Sequence, residues 1–188
     1  MTIFENKKLE RNKFRKLRDG TFLNQRENVE KNVRLYIDSF VKGYKNIGYI
    51  GIYWPLKNEV DIRSLKKKFS LALPRCKDKK DKKELLFYPW DEKPLTKDYE
   101  GILSPNKSSP LSYLQISMIF VPCLSVDKNL TRLGYGGGYF DELRRDNAWR
   151  NVPCIGVLTS NCVSAVPLTR AEWDIPLSGF ITEKEIFV

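Results

Sequence analysis

Residues 116–142 read ISMIFVPCLSVDKNLTRLGYGGGYFDE, and they decide the fold class. Residues 116–121 are apolar at every position except Ser117. That pattern is expected of a central parallel strand covered by helices on both faces. Gly134, Gly136, Gly137 and Gly138 then strip the side chains from a turn, and a helix is expected over residues 138–147. In such a turn successive backbone amides can point at an anion, and the helix N-terminus adds partial positive charge. Arg132 offers a full charge to the same anion. Gly137 is the position where phosphate or a positive φ angle is expected, so a β-branched side chain there should be disruptive. A purely structural tight turn is the alternative reading of the glycines. The segment is not a Walker A loop, because no Gly-Lys-Ser/Thr follows, and it fits the dinucleotide fingerprint poorly.

Working outward, residues 5–43 carry Leu9, Phe14, Leu17, Phe22, Val29, Val33, Tyr36, Ile37 and Phe40 at spacings of three and four for much of the way. This predicts helix, broken at Asp19-Gly20 and stopped near Gly43. NIGYIGIYW, residues 46–54, reads as a buried strand ended by Pro55. Asp61 caps a short basic helix running to Phe69, and residues 71–74 open the next strand. KDKKDKK, residues 77–83, reads as a charged hairpin turn or loop, and ELLFYPW, residues 84–90, as the returning strand. Residues 91–115 look irregular, with Pro94, Pro105, Pro110 and the run NKSS. Residues 153–158 and 179–182 supply two further strands. Strands alternating with helices imply α/β: a single three-layer domain over residues 1–188, with a mainly parallel central sheet flanked by helices and a long N-terminal helical segment.

The 188 residues suffice for one real core, and 41% hydrophobic with 30% charged residues fits an ordinary globular chain. No apolar run approaches the roughly 20 residues that span a bilayer, and residues 1–18 lack an apolar signal segment. A cytoplasmic location is expected. Cys76, Cys123, Cys154 and Cys162 form no C-x-x-C pair and read as reduced, mostly buried small hydrophobes. There is no histidine. That removes the histidine-based triads and the side chain best suited to proton transfer near neutral pH. Chemistry must come from carboxylates, cations, backbone amides and a bound cofactor. A net charge of +10 with a pI near 9.4 invites a polyanion, either nucleic acid or a small phosphorylated or polyglutamylated ligand. A basic surface that aids solubility is the plainer reading.

Residues 132–141, RLGYGGGYFD, resemble the R-L-G-x-G-x-G-Y-Y-D signature of the 5-formyltetrahydrofolate cyclo-ligase family. KKLER, residues 7–11, resembles that family's N-terminal K-x-x-L-R. WPLKNEVD, residues 54–61, resembles its folate-facing segment, and Leu73-Pro74-Arg75 its L-P-R strand. LTRAEWDIPLSGFITE, residues 168–183, is similar to its C-terminal block. Order and spacing agree over nearly the whole chain. The departures are Glu10 in place of leucine, Phe140 in place of the second tyrosine, Glu142 where arginine is frequent, Ser104 where Glu is common, and Ser178 where Asp is usual.

The resemblance implies an ATP- and Mg2+-dependent conversion of 5-formyltetrahydrofolate into 5,10-methenyltetrahydrofolate, with ADP and phosphate released. The formyl oxygen is phosphorylated and N10 attacks the activated carbon. This chemistry rests on positioning and charge stabilisation, which explains why histidine is dispensable. By the same resemblance Lys7, Lys8, Leu9, Glu10 and Arg11 meet ATP, together with Arg132, Leu133, Gly134, Tyr135, Gly136, Gly137, Gly138, Tyr139 and Phe140. Arg132, Tyr139 and Lys7 are the expected catalytic groups. Trp54, Glu59, Tyr135 and Tyr139 would meet the folate, and Asp141 and Asp174 the Mg2+.

Without the resemblance, Lys7 and Arg11 read as a solvated basic helix face and Glu59 as an exposed loop carboxylate. Trp54 and Tyr139 read as core, and Asp174 equally as a turn cap before Pro176. The basic stretch from residue 63 to 83 is suited to a polyglutamate tail or to solvent. The substrate is therefore expected to be 5-formyltetrahydrofolate, with or without such a tail, bound by a monomer or weak dimer, with no membrane partner. Nucleic acid is the competing partner, but no recognition module is visible. A catalytically weak relative that binds folate or nucleotide for regulation is the other alternative.

Overall fold

A computed structural model describes residues 2–20, 23–44, 46–79, 82–91, 93–106 and 109–188, without the side chains of residues 23, 24 and 79. Phe22, Lys80 and Asp81 of the charged run, and Lys107 and Ser108 of the polar run lie outside the described residues. The chain begins with helices α1 (Ile3–Asp19) and α2 (Leu23–Lys42), then strands β1 (Tyr49–Gly51), β2 (Leu71–Lys79) and β3 (Lys82–Pro89). Short strands β4 (Thr96–Lys97) and β5 (Leu103–Ser104) precede β6 (Ile116–Pro122), β7 (Ser125–Asp127) and β8 (Arg132–Leu133). Helices α3 (Tyr139–Arg145) and α4 (Asn147–Arg150) lead to β9 (Cys154–Val157), β10 (Val163–Ser164), β11 (Gly179–Ile181) and β12 (Ile186–Phe187).

Among the described residues the main sheet runs β12-β11-β9-β6-β1-β2-β3. The five inner strands are parallel, and β3 and β12 close the two edges antiparallel. Side chains of β6 alternate between two cores, as the two-residue period of a strand requires. Met118 and Phe120 share one core with Val29, Val33 and Ile37 of α2. Ile119 and Val121 share the other with Tyr139 and Leu143 of α3. This is the expected α/β architecture, a mainly parallel sheet between helices. Among the described residues no helix is long and apolar enough to cross a membrane.

Several boundaries differ from expectation, each for a local reason. The strand expected over residues 46–54 is regular only at β1. The Gly48 amide donates to Ser117 Oγ at 2.8 Å instead of joining the ladder, and the register with β6 shifts between Tyr49 and Ile50. The expected charged loop at 77–83 is largely strand. In the β2–β3 register Lys77 faces Glu84 and Asp78 faces Lys83, so the alternating charges become opposite-charge cross-strand pairs. Residues 91–115 contain the small β4–β5 hairpin, closed by Asp98, whose Oδ1 accepts from the Glu100 and Ile102 amides at 3.0 and 2.9 Å. The helix after the glycines ends at Arg145, where Asp146 recaps the chain by accepting from the Ala148 amide at 2.8 Å.

The sequence reading also lacked a small sheet, β10-β7-β8, that carries the glycine turn. Asp127 is buried and holds it closed, accepting from the amides of Asn129 and Thr131 at 2.9 Å and of Leu168 at 2.8 Å. Strand β8 thereby delivers Arg132 and Gly134 to the same end of the main sheet as the C-terminus of β1.

Candidate active site

The C-terminal ends of β1 and β6 open on a cleft of about 450 Å³, the edge at which ligands bind in parallel α/β sheets. Its walls come from several parts of the chain, including Pro74, Cys76 and Leu85 of β2 and β3 and Asp98, Glu100 and Ile102 of the β4–β5 hairpin. Helix α1 brings Lys7 and Arg11, and the segment after β1 brings Tyr53, Trp54 and Glu59. The glycine turn brings residues 132–141, and the segment before β11 brings Trp173 and Asp174.

One end of the cleft is built for an anion. Lys7 is buried in α1 and donates to Asp174 Oδ2, which also accepts from the Ala171 amide at 2.7 Å. One turn along the same face, Arg11 Nε donates to the Gly134 carbonyl at 3.0 Å. Arg132 lies flat against Gly134, where a Cβ would stand 2.8 Å from the guanidinium. Lys83 on β3 donates to the Gly137 carbonyl at 2.7 Å. The Gly134 and Gly137 carbonyls are thus already engaged. Among the described residues nothing accepts from the amides of Gly136, Gly137 and Gly138. The left-handed positions are Gly136 and Gly138, with φ of +106° and +75°, rather than Gly137. At Gly137 the constraint is space, since a Cβ would meet the Tyr139 ring at 3.2 Å. Side-chain-free glycines, unused amides and the four cations suit a polyphosphate.

The other end is flatter and more apolar. Trp54 packs edge-on against Trp90, with Arg63 4.3 Å above its ring. Glu59 is held over this end by a turn in which its Oε2 accepts from the Leu56 amide at 2.7 Å. Tyr53 fixes the same loop by donating to the Val60 carbonyl at 2.7 Å. Glu59 Oε1 is buried and, among the described residues, meets no hydrogen-bond donor. Burial pushes the Glu59 carboxyl above the usual carboxylate range, opposed by the Leu56 amide and by the nearby Tyr135 hydroxyl. An unmet buried carboxylate oxygen beside aromatic rings is suited to a flat ligand carrying N–H donors.

The cleft brings together Lys7, Arg11, Trp54, Glu59, Arg132, Leu133, Gly134, Tyr135, Gly136, Gly137, Gly138, Tyr139, Phe140, Asp141 and Asp174. Lys8 and Leu9 are exposed and do not line it. Glu10 points to the C-terminal segment, accepting from Thr169 N and Oγ1 at 2.9 Å. Its departure from leucine therefore adds a tether between α1 and that segment. Ser104 Oγ accepts from Arg75 at 2.9 Å, and Ser178 Oγ accepts from the Cys154 amide at 3.0 Å. Phe140 packs 5.2 Å from the Arg132 guanidinium, and Glu142 pairs with Arg145 at 2.8 Å.

Sequence reasoning missed Glu100, Arg18 and Lys83. Tyr139 donates to Glu100 Oε1 at 2.7 Å, and burial first and Glu100 second push its hydroxyl up. Arg18 donates to the Tyr135 hydroxyl at 2.8 Å. Only Arg18 had a signal: it continues the Lys7–Arg11–Phe14 face of α1.

The anion end also bears on magnesium. Asp141 Oδ1 stands 3.8 Å from Arg132 Nη1, and Asp174 is shared with Lys7 and the Ala171 amide. Among the described residues no group of three or more Cys, Asp or Glu could hold a metal unaided. Two carboxylates beside a phosphate cradle fit an ion that takes its other ligands from phosphate oxygens and water.

Comparison with known proteins supplies the family. The family model described as the 5-formyltetrahydrofolate cyclo-ligase family matches residues 3–183. The 5-formyltetrahydrofolate cyclo-ligase of Haemophilus influenzae is 26% identical over 176 residues, covering 89% of this chain and 92% of that protein. The NMR structure of Aquifex aeolicus 5,10-methenyltetrahydrofolate synthetase superposes with a TM-score of 0.70 at 27% identity, over 96% of this chain and 91% of that one. The 5,10-methenyltetrahydrofolate synthetase from Mycoplasma pneumoniae shares the fold, with a TM-score of 0.70 at 21% identity, over 95% and 99% of the two chains.

Two stability measurements follow from the site. Asp174→Asn leaves the buried Lys7 ammonium without its counter-charge and should cost about 3 kcal/mol in urea unfolding, whereas Lys7→Met with Asp174→Asn should cost less than Asp174→Asn alone. Simple additivity of the two substitutions would show that the pair is not coupled. For Glu59 the folded state holds its proton more tightly than the unfolded chain. Its favourable contribution is complete below about pH 4 and is lost as pH rises through the raised value. The melting temperature of Glu59→Gln relative to the parent should therefore rise between pH 4 and 7, and a pH-independent difference would contradict the burial argument.

Proposed function

The chain belongs to the 5-formyltetrahydrofolate cyclo-ligase family, and on that premise we propose that it converts 5-formyltetrahydrofolate into 5,10-methenyltetrahydrofolate using ATP and Mg2+, with ADP and phosphate as the other products. One observation carries the reading. A glycine turn beside Lys7, Arg11 and Arg132 and an aromatic pocket with a buried carboxylate share a single cleft. ATP, when bound, supplies the phosphoryl group that turns the formyl oxygen into a leaving group, so that N10 closes the ring.

The rest is work for the chain's own residues. Lys7, Arg11 and Arg132 bind the phosphates, helped by the amides of residues 136–138. Asp141 and Asp174 would hold Mg2+, which when bound would offset the negative charge of the phosphates. Lys7 is then shared between Asp174 and the anion, and Arg132 keeps positive charge against the oxygens being transferred. Trp54 and Tyr139 flank the folate rings, and Glu59 Oε1 accepts from an N–H of the folate. Tyr135, held by Arg18, separates the two ends of the cleft and touches both ligands. No histidine is needed, because positioning and charge do the catalysis.

The test is the absorbance of methenyltetrahydrofolate on mixing the protein with 5-formyltetrahydrofolate. Product is expected only with ATP and Mg2+ both present, with one phosphate released per product. Absence of product, or product without ATP, would overturn the proposal. Glu59→Gln should weaken folate binding and lower turnover while leaving ATP affinity unchanged or slightly improved, since it removes a charge that would repel a triphosphate. Weaker ATP binding with normal folate binding would move Glu59 to the nucleotide side.

A further inference from the structure

The proposed reaction makes no use of one wall of the cleft, the β4–β5 hairpin, from which Asp98, Glu100 and Ile102 face the cavity. That hairpin is fastened to β2 at its base and at its tip. At the base, Arg75 donates to Thr96 Oγ1 at 3.1 Å, to Ser104 Oγ at 2.9 Å and to the Lys97 carbonyl at 3.3 Å. At the tip, Asp98 Oδ2 accepts from the Cys76 amide at 2.9 Å, and the Tyr99 amide donates to the Cys76 carbonyl at 3.3 Å. The Gly101 amide closes the turn on the Asp98 carbonyl at 3.0 Å, and Gly101 takes a φ of +77° that glycine adopts without strain. These bonds set where Glu100 stands.

Glu100 is itself exposed, yet its Oε1 accepts from the hydroxyl of the buried Tyr139 at 2.7 Å. The Tyr139 ring is held in the core that it shares with Cys76, Leu85 and Leu143, which fixes the position of its hydroxyl. A phenol carries one proton and two lone pairs. With the proton committed to Glu100, the oxygen has only lone pairs to offer the cleft. Among the described residues nothing donates to it. Burial first and the Glu100 carboxylate second push the hydroxyl up, so it stays neutral near pH 7.

An oxygen that can only accept discriminates between the groups the cleft would hold. A triphosphate chain presents acceptors alone, so the Tyr139 hydroxyl gains nothing from it, although Tyr139 directly follows the glycine turn. 5-Formyltetrahydrofolate carries N–H groups on its pterin ring and at N10. We infer that Glu100 is a positioning residue for the folate: it fixes the Tyr139 hydroxyl as an acceptor for a folate N–H and so assigns that side chain to the folate rather than to the phosphates. This rests on the folate reading above and deepens it, adding a second acceptor to Glu59.

The experiment titrates 5-formyltetrahydrofolate, and separately ATP with Mg2+, calorimetrically into the parent, Glu100→Leu, Glu100→Gln, Tyr139→Phe and the double variant Glu100→Leu with Tyr139→Phe. A hydrogen bond to a buried group is worth a factor of roughly ten in affinity. Folate affinity is expected to fall about tenfold in Glu100→Leu and in Tyr139→Phe, with ATP affinity unchanged or slightly improved by the lost negative charge. The double variant should bind folate no more weakly than either single one, because both substitutions remove the same bond. Glu100→Gln, whose amide oxygen still accepts from Tyr139, should recover most of the folate affinity. Equal losses for folate and ATP, or losses that add in the double variant, would reduce Glu100 to a support for the hairpin and overturn the inference. So would a Glu100→Gln protein as weak as Glu100→Leu, or unchanged folate affinity in Glu100→Leu. A parent protein that binds no 5-formyltetrahydrofolate would instead sink the folate reading itself, and the role of Glu100 with it.

Discussion

The buried contact between Lys7 and Asp174 joins residues 167 positions apart and holds the two ends of the fold on one site. Its importance follows from how little else α1 has to dock with. Only Lys7 and Phe14 are buried along that helix, while Ile3, Phe4, Leu9 and Leu17 are exposed. Phe14 supplies the apolar anchor against Leu124, Leu133 and Leu168. The remaining grip is polar: Arg11 to the Gly134 carbonyl, Glu10 to Thr169, Arg18 to Tyr135, and Asn161 to the Leu17 carbonyl. A buried ion pair is weak evidence for stability, because desolvation offsets much of its attraction. Its effect here is to specify geometry. Losing the pair would free a helix and a turn that between them carry Lys7, Arg11, Trp173 and Asp174.

The same constraint links electrostatics to function. A chain with net charge +10 and no histidine can gather cations around a polyphosphate but lacks the usual proton shuttle. The anion end gathers Lys7, Arg11, Arg132 and Lys83 around one glycine turn. The carboxylate most affected by burial, Glu59, is kept apart at the aromatic end. Like charges are thereby separated within a single cavity, with the cations at one end and Glu59 at the other. On the proposed reading Lys7 would serve both Asp174 and a nucleotide, which would couple nucleotide binding to the placement of α1.

Much of this was legible in the sequence, and the missing parts share a cause. Periodicity gave α1, α2 and β6, because long elements with one buried face repeat their pattern several times. The glycine run and its flanking Arg132 and Asp141 pointed to an anion site because side-chain-free turns have few other uses. Periodicity failed where structure depends on pairing between distant segments. The charged strands of the β2–β3 hairpin make sense only in register, Asp78 against Lys83. The β10-β7-β8 sheet hinges on Asp127, whose role requires knowing that Leu168 lies opposite. Within 7–11 the motif was contiguous but the helix is not one-sided, so Lys7 and Arg11 reach the cleft while Lys8 and Leu9 face outward. Glu100 was invisible because it arrives on a hairpin whose closure is set by Asp98 rather than by any apolar repeat.

The claim that phosphates bind between α1 and the glycine turn can be tested without turnover. Amide hydrogen exchange of the purified protein, with and without ATP and Mg2+, reads both segments at once. Protection is expected at residues 134–140 and along α1, with residues 54–61 unchanged until folate is added. Protection confined to residues 54–61, or unchanged exchange at the glycine turn under saturating ATP, would contradict it.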